Sequence, residues 1–60
     1  MIETKTGFRI KVEKSSFKGN EYAAIILENW NIYSNQWMRK NKFYVPYENV
    51  EELADELRRL

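Results

Sequence analysis

The run Tyr22-Ala23-Ala24-Ile25-Ile26-Leu27 is the only long apolar stretch in this 60-residue chain, and it narrows the possible folds more than any other feature. Its aromatic and β-branched content suits a pleated strand. With period two, Ala23, Ile25 and Leu27 point one way, and Tyr22, Ala24, Ile26, Glu28 and Trp30 the other. Neither side is polar. Such a strand belongs in the middle of a sheet with both faces covered, one by the protein's own core and the other by something else.

Sixty residues make a single domain, residues 1–60, that buries only about 60% of the surface its unfolded chain exposes. There is no cysteine, so disulfides and thiolate zinc sites are excluded. There is no histidine, which removes the usual metal ligand and the usual near-neutral general base. Oligomerisation is the remaining common way to stabilise so small a fold, and a homodimer is expected. No apolar segment approaches the roughly 18 residues needed to span a membrane, and charge rather than an apolar stretch follows Met1. The expected location is intracellular: cytoplasm or nucleoid, or the nucleus in a eukaryote.

In chain order, Met1–Thr6 is polar and expected to be loosely ordered. Residues 7–46 read as an antiparallel sheet. Phe8, Ile10 and Val12 alternate with Arg9 and Lys11, the cleanest strand signal in the chain. Lys14–Asn20 is rich in turn formers and predicts a hairpin into the Tyr22–Trp30 strand. Asn29 and Asn31 suggest a bend or bulge, followed by a third strand over Ile32–Met38. Arg39-Lys40-Asn41-Lys42 reads as a basic turn, and Phe43-Tyr44-Val45 as a short fourth strand ended by Pro46. Residues 49–60 predict a helix, with Asn49 and Glu52 as a capping box and Val50, Leu53, Ala54, Leu57 and Leu60 as one apolar stripe. The expected fold is α+β: a curved four-stranded antiparallel sheet followed by one C-terminal helix (ββββα).

Charge divides along the same line. Residues 1–47 carry eight basic side chains against Glu3, Glu13, Glu21 and Glu28, a balance of +4. Residues 48–60 carry five acidic groups against Arg58 and Arg59, a balance of −3. Two surfaces with different tasks are one reading; a solvated helix whose sign is incidental is the other.

One helix covers only one side of a sheet. If Ile10, Val12, Ile25, Leu27, Phe43 and Val45 meet it, the open side shows Arg9, Lys11, Tyr22, Tyr33, Trp37 and Tyr44. Aromatic faces stack on nucleobases without demanding a sequence, at about 1–3 kcal/mol per base, and neighbouring cations neutralise phosphates. Lys14, Lys18, Arg39, Lys40 and Lys42, on or near the expected hairpin turns, extend the basic track. The plainer account is that the nine aromatics fill the core or a dimer contact, where Tyr and Trp are common. A basic hairpin tip is likewise more often solvated than a phosphate clamp. The polar neighbours of Tyr33 and Trp37 weigh against a core role for those two.

Enzymatic chemistry has little to rest on. The two glycines, Gly7 and Gly19, are isolated and make no phosphate loop. Glu48, Glu51, Glu52 and Asp55 share helical spacing, which suits a solvated face far better than a metal site. No cofactor or metal is expected, and the chain reads as a non-enzyme.

The segment Phe17-Lys18-Gly19-Asn20 entering an apolar strand that ends near Trp30, then Lys40-Asn41-Lys42 before a short strand and a final helix, resembles the positive cofactor four family. Members of that family bind single-stranded DNA and act as transcriptional coactivators, and they dimerise through the helix end. The resemblance covers about residues 7–60, mostly as pattern. It implies that Phe17 and Trp30 stack on bases, with Lys18 matching a basic residue at the hairpin turn and Lys42 one before the last strand. Phe43 stands where the family usually has glycine, and the Phe17–Trp30 spacing is one residue longer. One residue reverses a strand's faces, so a bulge near Asn29 or Asn31 would be needed to bring Trp30 to the same side.

The expectation is therefore a dimeric protein that binds single-stranded DNA or RNA with little sequence preference, in transcription or DNA maintenance. Val50, Leu53, Leu57 and Leu60 would lie at the dimer contact. The rival is a protein-interaction module docking a partner through the aromatic sheet. Double-stranded DNA binding is disfavoured, since there is no basic helix or groove-reading ribbon.

Overall fold

The computed structural model describes all 60 residues. Four strands form one antiparallel meander in the order β1 (Ile2–Glu3), β2 (Phe8–Phe17), β3 (Asn20–Asn31) and β4 (Gln36–Pro46). A 3-10 turn over Tyr47–Asn49 leads into helix α1 (Val50–Arg58). The ββββα architecture is the expected one, but the chain divides into strands differently.

The first residues take part in the sheet. Ile2 and Glu3 pair with Ile10 and Arg9. The turn between them is tied by Thr4, whose backbone N–H donates to the Phe8 carbonyl at 2.8 Å while its hydroxyl accepts from Phe8 N–H at 3.2 Å. Ser15 and Ser16, expected in a turn, continue β2 opposite Tyr22 and Glu21. The turn is only Lys18-Gly19, both at positive φ (51° and 79°). A two-residue hairpin needs that left-handed pair to match the strands' twist, and glycine accepts it without steric cost.

The expected third and fourth strands are one strand, β4. Ile32–Asn35 is the turn before it, held by Asn31 Oδ1, which accepts from the Tyr33 and Ser34 N–H groups at 2.9 and 3.1 Å. Asn35 closes it at φ 54°, with its N–H on the Asn31 carbonyl at 2.9 Å. An asparagine side chain that satisfies backbone donors in this way favours a turn over a ladder. Arg39–Lys42 is correspondingly not a turn but the middle of β4. The bulge also lies elsewhere than expected: Leu27 pairs with Asn41 and Glu28 with Arg39, leaving Lys40 as the extra residue.

Helix α1 stops at Arg58, and Asn49 does not cap it through the backbone. Its amide donates instead to Glu52 Oε1 at 3.0 Å, so the capping box is not formed. The helix has no extended packing against any strand and no fully buried residue. Val50, Leu53 and Ala54 are half-buried, whereas Leu57 and Leu60 are exposed. The core is Ala23, Ala24 and Ile26, all on the central strand β3, and the molecule measures 39 × 32 × 14 Å. The sheet is thus nearly bare on both sides.

Candidate nucleic-acid interface

Side chains paired across an antiparallel ladder share a face, so the register sorts every strand residue. One face carries Arg9, Lys11, Glu13, Ser15 and Phe17 from β2 and Tyr22, Ala24, Ile26, Glu28 and Trp30 from β3. From β4 it takes Trp37, Arg39, Lys42 and Tyr44. The β4 set depends on the bulge. In an unbroken strand, odd and even residues face opposite ways, and Trp37 and Arg39 would lie on the other side from Lys42 and Tyr44. Lys40 absorbs that mismatch and brings all four to one surface.

The strand end next to the Lys18-Gly19 turn forms a shallow apolar cleft of about 350 Å³ lined by Ser15, Ser16, Phe17, Tyr22 and Tyr44. The Tyr22 and Tyr44 rings meet edge-to-face with centroids 6.4 Å apart. Ala24, directly opposite Tyr44, is too small to stand between them. Phe17 is 65% and Tyr44 54% exposed, leaving ring surface open to a ligand. Lys42 Nζ lies 5.4 Å from the Tyr44 ring and Lys18 Nζ 5.3 Å from the Phe17 ring, within cation–π range.

At the opposite end Trp30 and Trp37, direct cross-strand partners, meet edge-to-face at 5.5 Å. The Arg9 guanidinium lies 4.3 Å over the Trp37 ring and its Nε donates to Glu28 Oε1 at 2.5 Å. Trp37 therefore already has a cation on one face, and Trp30 is the more open ring at this end. Between the two ends runs the row Lys11–Ile26–Lys42, with Ile26 buried between the two lysines.

Of the residues singled out from sequence, Arg9, Lys11, Phe17, Tyr22, Trp30, Trp37, Arg39, Lys42 and Tyr44 share this face. Trp30 needs no bulge in its own strand: the two-residue turn and the even count from Tyr22 suffice. Lys14 lies on the opposite face, paired with Glu21 at 3.5 Å and 5.4 Å from the Tyr47 ring. Lys18 is in the turn, Lys40 in the bulge, and Tyr33 projects from the Ile32–Asn35 turn at 93% exposure. Sequence reasoning missed Ser15 and Ser16 as cleft walls and Glu28 as the partner of Arg9. The first looked like turn residues, and the second emerges only when β2 and β3 are in register.

The opposite face is chemically different. It carries Ile2, Phe8, Ile10, Val12, Ala23, Ile25, Leu27, Met38, Phe43 and Val45, with Asn29, Asn31, Gln36 and Asn41 among them and Ser16 and the Lys14–Glu21 pair near its hairpin end. No three ligating side chains converge anywhere as a metal site, and no helix is long and apolar enough to cross a membrane. In comparisons with protein-family models, with curated proteins and with solved structures, the chain matches none.

Proposed function

We propose that this protein binds single-stranded nucleic acid, DNA in the first place, through the aromatic and basic face of its sheet. The observation that carries the reading is the bulge at Lys40, which aligns Trp37, Arg39, Lys42 and Tyr44 with Arg9, Lys11, Phe17, Tyr22 and Trp30. Five rings and four cations then share one face of the sheet, with rings at both ends and lysines between. That is the combination single strands require: π-faces for the bases and cations following the phosphates. A sheet face without a protruding basic helix does not suit reading the grooves of a duplex.

The electrostatics set a number. Arg9 is neutralised by Glu28, whereas Lys11, Arg39 and Lys42 have no ion-pair partner. Three phosphate contacts on a single strand give a log–log salt slope of about −2. The test is a titration with a thymine oligonucleotide of about 20 residues, long enough for one or two sites. Tryptophan emission from Trp30 and Trp37 is followed at several salt concentrations. Saturable quenching with that slope supports the reading. Absence of binding at low salt overturns it, and capture of a protein through the same face with little salt dependence would replace it with a protein-docking role.

A further inference from the structure

We infer that the second face of the sheet, the one opposite the aromatic surface, is covered by the same face of a second copy of this chain. The chain exposes 5262 Å². A folded monomer of 7.3 kDa is expected to expose about 4,200 Å². The surplus of about 1,060 Å² per chain amounts to about 2,100 Å² over two copies, at the lower edge of the range of obligate homodimers and above that of transient contacts.

Part of the surplus lies on the apolar face. Ile2, Val12, Met38 and Phe43 lie on the apolar face and are each between 42% and 63% exposed. Arg9, Lys11, Glu28, Arg39 and Lys42 all point the other way, while the Lys14–Glu21 pair stays on this face near the hairpin end. The paired positions in the middle of this face carry no charge, and helix α1 makes no extended packing against it. Leu57 on helix α1 and Leu60 just beyond it are exposed as well, so each copy presents both an apolar sheet face and an apolar stretch at the helix end. A two-fold arrangement lets each of these meet its counterpart on the partner, as a self-complementary interface requires. A copy of the same chain also fits electrostatically. A net charge of +1 leaves little overall repulsion between chains. The expected helix stripe of Val50, Leu53, Leu57 and Leu60 is thus only part of the contact; the sheet supplies the larger share.

Two adjacent residues make the test. Phe43 and Tyr44 are about equally exposed and lie on opposite faces. Sedimentation equilibrium of the full chain, without nucleic acid, should give twice the 7.3 kDa chain mass. Phe43→Glu should weaken association at least a hundredfold, and Tyr44→Glu should leave it within a few-fold. If Phe43→Glu fails to fold, the urea midpoint of the unaltered chain decides: it should rise with protein concentration, as the unfolding of an obligate dimer must. A folded monomer at 100 μM (on the order of a weak-dimer threshold) whose midpoint ignores concentration overturns the inference. So does a dimer that Phe43→Glu leaves intact.

Discussion

Replacing Glu28 by glutamine should move stability and nucleic-acid affinity in opposite directions. The Glu28 carboxylate accepts from Arg9 Nε at 2.5 Å, and the two side chains keep only 13% and 20% of their exposure. An exposed ion pair is worth up to about 1 kcal/mol, and breaking a fully buried one costs about 3–5 kcal/mol. This pair lies between those limits, and glutamine leaves an acceptor in place, so the expected loss is about 1–2 kcal/mol. For a domain this small that lowers Tm by about 5–15 °C. Meanwhile Arg9 loses its counter-charge beside Trp37 and becomes a fourth cation for phosphate. The salt slope should steepen from about −2 to nearly −3. The variant's affinity relative to the unaltered protein should then be about 2.5-fold greater at 50 mM salt than at 200 mM. Thermal melts and oligonucleotide titrations at four salt concentrations read both effects. Affinity that falls at every salt concentration with an unchanged slope would refute the argument, because Arg9 would then contribute nothing to the phosphate track.

Tyr44→Ala removes a wall of the hairpin-end cleft and should weaken oligonucleotide binding by about 5- to 150-fold, one base-stacking contact, with the salt slope unchanged. Deleting Lys40 joins Arg39 to Asn41 in regular alternation and leaves every other β4 side chain on its present face; binding should stay within a few-fold, and a loss above tenfold would contradict the bulge assignment. Lys18→Asn should raise stability by about 0.5 kcal/mol in urea unfolding, because asparagine tolerates the left-handed backbone at φ 51° better than lysine and Asn-Gly is the preferred pair for this turn. Gly19→Ala should lower it by about 1 kcal/mol through backbone strain alone, since a Cβ there meets nothing within 4 Å.

Legibility from sequence followed the range of the forces involved. Alternation within a strand is local, and the placement of Arg9 and Lys11 opposite Phe8, Ile10 and Val12 could be read directly. So could the row Tyr22, Ala24, Ile26, Glu28 and Trp30 on the central strand, and the acidic amphipathic helix at the end. Strand limits were less legible. Ser15 and Ser16 are turn-forming types held in a strand by their pairing with Tyr22 and Glu21, and Ile32 is a strand-forming type held in a turn by the Asn31 side chain. Ile2 and Glu3 join the sheet because β2 offers them an edge, which a polar N-terminal sequence does not announce.

By itself, then, the sequence determined an antiparallel sheet with a terminal helix, a strand with no polar side at its centre, and the absence of histidine and cysteine chemistry; the count of four strands agrees, but their division along the chain does not. Only the tertiary structure decided which face each half of β4 shows. Side chains alternate with a period of two, so one extra residue anywhere between Trp37 and Tyr44 exchanges the faces of everything beyond it. The position of that residue, Lys40, is chosen by pairing with Leu27 and Glu28 on the neighbouring strand, a contact between segments far apart in the chain. The common surface of Trp37, Arg39, Lys42 and Tyr44 rests on that non-local choice.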